Sequence, residues 1–481
     1  LFPFLSILVS ILAHAGCLFF LFNPRVYFFK YWELALRLRG EISPPIEVFF
    51  SSPFYTSLIA AGQGLAGWNH LHLILLQIII AAVIVWLVYI AGGLYFNETT
   101  TRIASLAAAV YGPLLLYGFS VLPAVWVAVF NLALLCLLGR YLRDGKMRYL
   151  VAAGCFLGLS LITRPNIAIF MISAGVYLLF RPKQASGEKR TAGTSPIRWR
   201  RLTPAAAFIL PALAVVAPVT AYNYSRSGEL IPVTASGGWV FYSSNNRQAQ
   251  GFNFSPPSEF SRAVSRYYIA GSEDAERLSY VEHLLSVELA RSGAENVQNY
   301  SRASRYWFRR GLDFIRGHPG EYIILLVKKM RAAINSYRGH DIPEVLARSR
   351  RFSRVPFLTP GIIFPLAFLG LIFIRPRRGR GLLYLYLISY LISFLILYVL
   401  PRYRLPLAPV LLLFAAAAGG DIYNKMTERN WGGLAIRLAV LIPLILLVNL
   451  PSAEIRKDRD QTRPAFLYVW KGRRSLKNGD R

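Results

Sequence analysis

Apolar residues recur along this chain in runs that are each long enough to cross a lipid bilayer. A hydrocarbon core about 30 Å thick requires roughly 20 apolar residues in a helix. Such runs predict about eleven transmembrane helices, at residues 1–22, 70–95, 103–119, 122–139, 149–163, 165–181, 203–222, 356–375, 382–400, 404–420 and 434–450. The pattern therefore predicts an all-α polytopic membrane protein.

The composition supports this fold class. Of the 481 residues, 55% are hydrophobic and only 16% are charged, whereas soluble domains carry about 25% charged residues. The net charge of +30 suggests nucleic acid at first sight, but no nucleic-acid motif accompanies it. Basic loops that set topology and meet anionic headgroups explain it better.

Cysteines and histidines form no recognisable site. Cys17, Cys136 and Cys155 are isolated within apolar segments, and the six histidines are scattered. Neither set has a metal-binding spacing. Since Leu1 opens directly on an apolar run with no small-residue cleavage site, we expect a trimmed N-terminus and not a cleavable signal.

The basic loops predict the orientation of the helices. Lysine and arginine concentrate at 139–148, 181–201 and 375–380 and around Lys425 and Arg429, which all fall on one side by parity. That side is cytoplasmic by the positive-inside rule. We expect a multi-pass protein of the inner (plasma) membrane, with an active face outside the cytoplasm.

This orientation divides the chain into four parts. Residues 1–222 form an N-terminal transmembrane core that includes a first outer loop at 23–69, and residues 223–355 form an extracytoplasmic segment. Residues 356–450 supply the C-terminal transmembrane helices, and 451–481 form an outer tail.

The outer parts contain predicted structure of their own. Residues 27–39 have the periodicity of an interfacial helix, and Ser52 and Pro53 suit the start of a second one. Residues 231–257 alternate as a strand does, and 304–338 read as two amphipathic helices separated at "GHPG". We therefore expect interfacial helices and a small mixed α/β extracytoplasmic domain.

Basic residues at the predicted outer boundary are candidate ligands for an anion. Arg402 and Arg404 lie between Pro401 and Pro406, where charges that retain a loop in the cytoplasm are not expected. They either extend to lipid headgroups or bind an anion such as a lipid phosphate. The same two interpretations apply to Lys328 and Lys329, and Arg164 in "TRPN" reaches the same face.

Five stretches together resemble a known superfamily. They are 31–67 (from "YWELALRLRGE" to "GQGLAG"), "GLSLITRPN" (158–166), "VTASGGWVFYSSNNRQAQGF" (233–252), "HPGEYIILLVKK" (318–329) and "RYRLPLAPVLLLFAAAAG" (402–419). In this order they resemble the GT-C superfamily of membrane glycosyltransferases. The nearest branch resembles bacterial relatives of the protein O-mannosyltransferases (glycosyltransferase family 39, ArnT-like and RgtA/B/C/D-like proteins).

The resemblance implies transfer of a sugar from a polyprenyl-phosphate donor to a glycan, lipid or protein acceptor outside the cytoplasmic membrane. The displacement would be inverting, with or without a divalent metal depending on the branch. Because guanidinium groups match phosphate oxygens, Arg402 and Arg404 would hold the lipid phosphate, together with Lys328 or Lys329 and with Arg164.

The sequence departs from the family at the catalytic base. Family members carry an aspartate early in the first outer loop, but here that place falls on Tyr27 or Phe28, and Asn23 cannot act as a base. Glu33 or Glu47 would have to replace it, with Glu33 favoured.

Two alternative functions remain open. The missing aspartate favours a non-catalytic or divergent scaffold that binds lipid-linked glycans. A transporter is disfavoured, because membrane-embedded acids are nearly absent and no inverted repeat is visible.

Overall fold

The computed structural model describes residues 2–21, 30–43, 45–180, 197–252, 255–256, 286–291, 299–336, 357–374, 379 and 381–451. The helices of the first half are α1 (Phe2–Leu21), α2 (Lys30–Leu38), α3 (Pro53–Ala66), α4 (His70–Tyr95), α5 (Glu98–Ala109), α6 (Gly112–Gly118), α7 (Ala124–Asp144), α8 (Met147–Thr163), α9 (Ala168–Phe180) and α10 (Ile197–Ser227). Those that follow are α11 (Gly237–Ser244), α12 (Tyr300–Gly317), α13 (Pro319–Ile334), α14 (Pro360–Phe373), α15 (Gly381–Ile396), α16 (Pro401–Arg404), α17 (Ala408–Thr427) and α18 (Trp431–Asn449).

The predicted fold class, an all-α polytopic membrane protein, is confirmed. Among the described residues, six helical segments are long and apolar enough to cross a membrane, and four shorter apolar helices accompany them. Together they account for ten of the predicted spans. Residues 22–29 and 452–481, where other predictions fall, lie outside the described residues.

The prediction of one helix at 103–119 is wrong. The chain breaks at Tyr111 into α5 and α6, because the backbone there pairs with a distant segment. Leu358 accepts a hydrogen bond from the Gly112 amide at 2.9 Å, and its own amide donates to the Val110 carbonyl at 3.2 Å. Pro113, which has no amide hydrogen, follows at once.

The predicted strands at 231–257 are also wrong, and the segment predicted to be extracytoplasmic is not α/β within the residues that the structure describes. Residues 237–244 form helix α11 instead. Its aromatic residues pack on α12: the rings of Trp239 and Tyr242 lie 4.8 and 5.0 Å from that of Trp307. Gly238 permits this contact, because a Cβ atom there would lie 1.7 Å from the Ser304 carbonyl oxygen.

The helices that the sequence predicts in the other outer segments are present in the structure. Helices α2 and α3 follow the first span, and the Ser52 side chain caps α3 by accepting from the Tyr55 amide at 3.4 Å. Helices α12 and α13 meet at His318, within "GHPG". The first outer loop is fastened by buried Asn223, which accepts from the Phe49 amide and donates to the carbonyls of Ile231 and Val233.

Helix ends that parity assigns to the same side do lie together. Gly379 lies beside Leu142, in the last turn of α7, and Tyr95, the last residue of α4. At the opposite end of the bundle, Asn335 donates to the Leu450 carbonyl after α18. We call this the arginine end, because Arg404 lies there and donates to the Asn335 carbonyl.

The pair α8 and α10 shows how closely the spans pack. A Cβ atom at Gly154 would lie 2.3 Å from the Phe208 carbonyl oxygen, and one at Gly158 would lie 2.8 Å from that of Ala212. Small residues four apart allow backbones to approach in this way. Helix α10 itself contains three prolines spaced by seven residues: Pro204, Pro211 and Pro218.

The orientation can be tested by labelling single cysteines in a variant whose three native cysteines are serine. Ser225 and Lys146 are both exposed, near the arginine end and at the opposite end of the bundle respectively. If the basic loops are cytoplasmic, a membrane-impermeant maleimide should label Ser225→Cys on intact cells and Lys146→Cys only after lysis. The reverse pattern would overturn the assigned orientation.

Candidate active site at the arginine end

The arginine turn, residues 400–407, connects α15 to α17. It consists of α16 followed by a 3-10 turn at Leu405–Leu407. Pro401 suits the first position of a helix, and Pro406 interrupts regular α-helical bonding. Just before the turn, the Val399 amide donates to the Gly251 carbonyl at 2.9 Å. The turn is thereby attached to the segment between α11 and α12.

Arg404 points into the protein. Its side chain is buried, and its Nη1 donates to the carbonyl oxygens of Ala332, at 3.4 Å, and Asn335. These carbonyls lie at the C-terminal end of α13, where backbone acceptors have no intrahelical donor and a cation is favoured. Arg404 therefore fastens the arginine turn to α13.

Arg402 and Arg164 meet at one aromatic ring. The guanidinium carbon of Arg164 lies 3.9 Å from the ring centroid of Tyr403, and that of Arg402 lies 5.4 Å from it. Tyr398 stacks on the same ring at 5.8 Å. The structure thus brings together two arginines that are more than 200 residues apart in the sequence.

Arg164 keeps hydrogen-bonding capacity for a ligand. It directly follows α8, and its amide donates to the Ser160 carbonyl at 2.7 Å. Its Nη1 is buried and makes no hydrogen bond to any residue that the structure describes. A buried unsatisfied donor costs about 1–3 kcal/mol, more when charged. An anion at this position would remove that cost.

Lys329 is also internal. It is fully buried on α13, and its Nζ donates to Asn245 Oδ1 at 2.8 Å and to the Leu395 carbonyl at 3.0 Å. Burial lowers the pKa of Lys329 to about 7. Its neighbour Lys328 is half-buried. Lys329 therefore connects α13 to the end of α15.

The two candidate bases have different surroundings. Glu33 is buried on α2, and its Oε1 accepts from Arg37 Nε at 2.8 Å. Glu47 is exposed in the loop before α3 and accepts a hydrogen bond from the Tyr300 hydroxyl. The position of the family aspartate, at Tyr27 or Phe28, and Asn23 lie outside the described residues.

A metal would need a set of donor side chains. Among the residues that the structure describes, no group of three or more histidine, cysteine, aspartate or glutamate side chains is close enough to hold a metal ion.

Sequence reasoning missed a buried polar network beneath the arginines. Asn131 Nδ2 donates to the hydroxyls of Tyr386, at 3.1 Å, and Tyr390, and its Oδ1 accepts from Ser160 Oγ at 2.6 Å. The Tyr386 hydroxyl donates to the Pro406 carbonyl at 2.9 Å. The signal in the sequence was an asparagine within the apolar run "AVWVAVFNLALL", since polar residues inside a span are usually functional or partnered.

Part of the chain matches a known family. Residues 51–222 match the model of the dolichyl-phosphate-mannose-protein mannosyltransferase family. The match includes Arg164 and ends before the arginine turn. It confirms the resemblance to GT-C superfamily glycosyltransferases that the sequence motifs indicated. None of the curated proteins compared with this chain matches it.

Solved structures to which this chain is similar include the archaeal oligosaccharyltransferase AglB from Archaeoglobus fulgidus, in complex with an inhibitory peptide and a dolichol-phosphate. It is 14% identical over 94% of this chain and 56% of its own length, with a TM-score of 0.46. The apo form of the Archaeoglobus fulgidus oligosaccharyltransferase is 14% identical over 93% of this chain and 54% of its own length, also with a TM-score of 0.46. The chain spans little more than half the length of these proteins.

The buried lysine predicts a pH dependence of stability. An unfolded lysine titrates near pH 10.4, so between about pH 7 and pH 10 the unfolded chain binds more protons than the folded protein does. Stability contributed by this site must therefore rise with pH in that window. Thermal unfolding in detergent should show the melting temperature of the parent protein increasing relative to that of Lys329→Met between about pH 7 and pH 9.5. Arg331→Met removes a cation that does not titrate in this range, so it should keep the slope of the parent. A constant difference between the parent and Lys329→Met would contradict the assignment.

Proposed function

We propose that this protein is a GT-C-type membrane glycosyltransferase that moves a sugar from a polyprenyl-phosphate donor to an acceptor on the outer face of the cytoplasmic membrane. The family match over 51–222 supports the reaction class. The observation that carries the proposal is the pairing of Arg164 and Arg402 on Tyr403. This pairing leaves Arg164 Nη1 buried and available to an anion.

The chemistry requires cations at this position. The bond between the anomeric carbon and the phosphate oxygen breaks, and its electron pair stays on the phosphate. An acceptor oxygen forms the new bond from the opposite face of the sugar. Hydrogen-bond donors fixed where charge develops on the leaving group lower the barrier. Arginine forks fit phosphate oxygens in particular.

We assign different tasks to the basic residues on the basis of their contacts. Arg164 and Arg402 bind the lipid phosphate. Arg404 and Lys329 hold the arginine turn and the end of α15 against α13, since their donors already serve carbonyl and amide oxygens. Lys328, half-buried on the same helix, contacts lipid headgroups or the donor phosphate at the membrane boundary.

The base that receives the acceptor's proton is one of the two loop carboxylates. A carboxyl group acts as a general base only when it is deprotonated and within reach of the acceptor. Glu47 is exposed, whereas Glu33 is buried and already bound to Arg37. Glu47 is therefore the base that the geometry supports better, and Glu33 is the alternative.

One observation favours a second function, a non-catalytic scaffold that binds lipid-linked glycans. The carboxylate of Glu33 is engaged with Arg37 at 2.8 Å. An assay with purified protein and labelled polyprenyl-phosphate sugars separates the two functions: an enzyme releases polyprenyl phosphate in the presence of acceptor, and a scaffold binds the donor without release.

The phosphate site predicts specific losses of binding. Loss of a hydrogen bond to a charged group costs about 1.5–3 kcal/mol, so Arg164→Ala and Arg402→Ala should each weaken the affinity for a polyprenyl phosphate in detergent by roughly tenfold to a hundredfold. Arg164→Lys should recover only part of this, because an ammonium cannot reproduce the guanidinium fork.

Arg102→Ala provides the matched control. It also removes one arginine, which is exposed and paired with Glu98 near the opposite end of the bundle, and it should leave affinity unchanged. Arg404→Ala should lower the melting temperature as well as affinity. Unchanged affinity in the Arg164→Ala/Arg402→Ala double variant would contradict phosphate binding. Contact with lipid headgroups would then be the role of both arginines.

The assignment of the base predicts a separation of binding from turnover. Positioned general bases contribute about 10²–10⁴-fold to rates. Glu47→Gln should therefore lower turnover by at least about a hundredfold with donor affinity and melting temperature unchanged. Glu33→Gln should lower the melting temperature, because it leaves the buried Arg37 without its counter-charge. Full turnover in Glu47→Gln would contradict this assignment and leave Glu33 as the candidate base.

A further inference from the structure

A single buried amide connects the two segments that carry the candidate phosphate ligands. Asn131 lies on α7 and is fully buried. Through its Oδ1 it binds Ser160 of α8, and through its Nδ2 it binds Tyr386 of α15. Each of these residues leads to one of the two arginines.

The connection to Arg164 is one helical turn long. Ser160 Oγ donates to Asn131 at 2.6 Å, while the Ser160 carbonyl accepts the Arg164 amide at 2.7 Å. This is the last helical bond of α8, which ends at Thr163, so it ties the Arg164 backbone to the end of the helix. The side chain and the carbonyl of the same serine thus fix the backbone from which Arg164 projects.

The connection to Arg402 passes through the arginine turn. The Tyr386 hydroxyl, which accepts from Asn131, donates to the Pro406 carbonyl at 2.9 Å. Tyr386 of α15 therefore contacts the turn at Pro406, while Arg404 attaches the same turn to α13.

All of the amide's hydrogen-bonding groups are used. Both hydrogens of Nδ2 go to tyrosine hydroxyls, and Oδ1 receives the serine hydroxyl. At bilayer depth no water replaces a lost partner, so the positions of the three neighbouring side chains are strongly coupled. A displacement of α8 relative to α15 would break at least one of these bonds.

We infer that Asn131 is a positioning residue that sets the separation of Arg164 and Arg402, and so the geometry of the phosphate site. The inference rests on the proposed function. We place none of these three residues, Asn131, Ser160 and Tyr386, in contact with the donor. They act through the two arginines, each by a separate connection.

The test is a set of double-mutant cycles with affinity for a polyprenyl phosphate as the readout. Tyr386→Phe and Ser160→Ala each remove one hydroxyl and should weaken affinity by about threefold to tenfold, the scale of one hydrogen bond. Asn131→Leu, of similar volume, should weaken it at least as much. Tyr386→Phe should have no further effect when Arg402 is already alanine, and Ser160→Ala none when Arg164 is already alanine.

Ser173→Ala is the matched control. It removes a hydrogen bond of 2.9 Å between α9 and Ser389 of α15, the helix that also carries Tyr386, but it lies outside the network. It should leave affinity unchanged and should not alter either cycle.

The outcomes distinguish this inference from the function on which it rests. Normal affinity in Arg164→Ala/Arg402→Ala overturns the proposed function and this inference with it. Weak binding in the arginine variants together with normal binding in Asn131→Leu, Tyr386→Phe and Ser160→Ala overturns the inference alone. Losses that are equal in every background, accompanied by lower melting temperatures, would show a purely structural role and would also overturn it.

Discussion

Polar groups inside the bilayer must find their partners within the protein, because hydrocarbon offers none. This constraint explains where the chain departs from simple helices. Gln77, fully buried on α4, accepts from the Tyr55 hydroxyl at 2.7 Å and donates to the carbonyls of Gly118 and Ser120 in the turn after α6. Asn131 likewise binds Ser160, one turn before Arg164, and Tyr386, which contacts the arginine turn. Each buried amide thus stabilises irregular backbone that could not otherwise lie at this depth.

The basic residues at the arginine end fall into two pairs, which differ in the groups that they contact. Arg404 and Lys329 have backbone carbonyls within reach, and they join α13 to the spans. The guanidinium carbons of Arg164 and Arg402 lie 3.9 and 5.4 Å from the ring centroid of Tyr403, and Arg164 Nη1 makes no hydrogen bond to any residue that the structure describes. In the function that we propose, the first pair holds the site together and the second pair binds the lipid phosphate.

Sequence patterns predicted the parts of the fold that depend on local physics. Helix length follows from the thickness of the bilayer, and the start of α3 follows from the capping chemistry of Ser52. The predictions failed where a distant segment decides the structure. Tyr111 breaks its helix because Leu358 pairs with it, and the aromatic alternation at 231–257 forms a helix because α12 offers it a surface. The candidate residues Arg164, Arg402 and Arg404 were identifiable from their position at a predicted boundary. Their division between structural contacts and ligand binding depends on partners that are far away in the sequence.

The prolines of α10 have a mechanical consequence. Each one removes an amide hydrogen from the helical ladder and favours a bend at its own position. With a spacing of seven residues, nearly two full turns, Pro204, Pro211 and Pro218 lie on the same face of the helix. Bends at these three positions would therefore add in one plane and give α10 a curvature of constant direction. The close approach of Gly154 and Gly158 to the carbonyls of Phe208 and Ala212 holds α8 against the same stretch of α10.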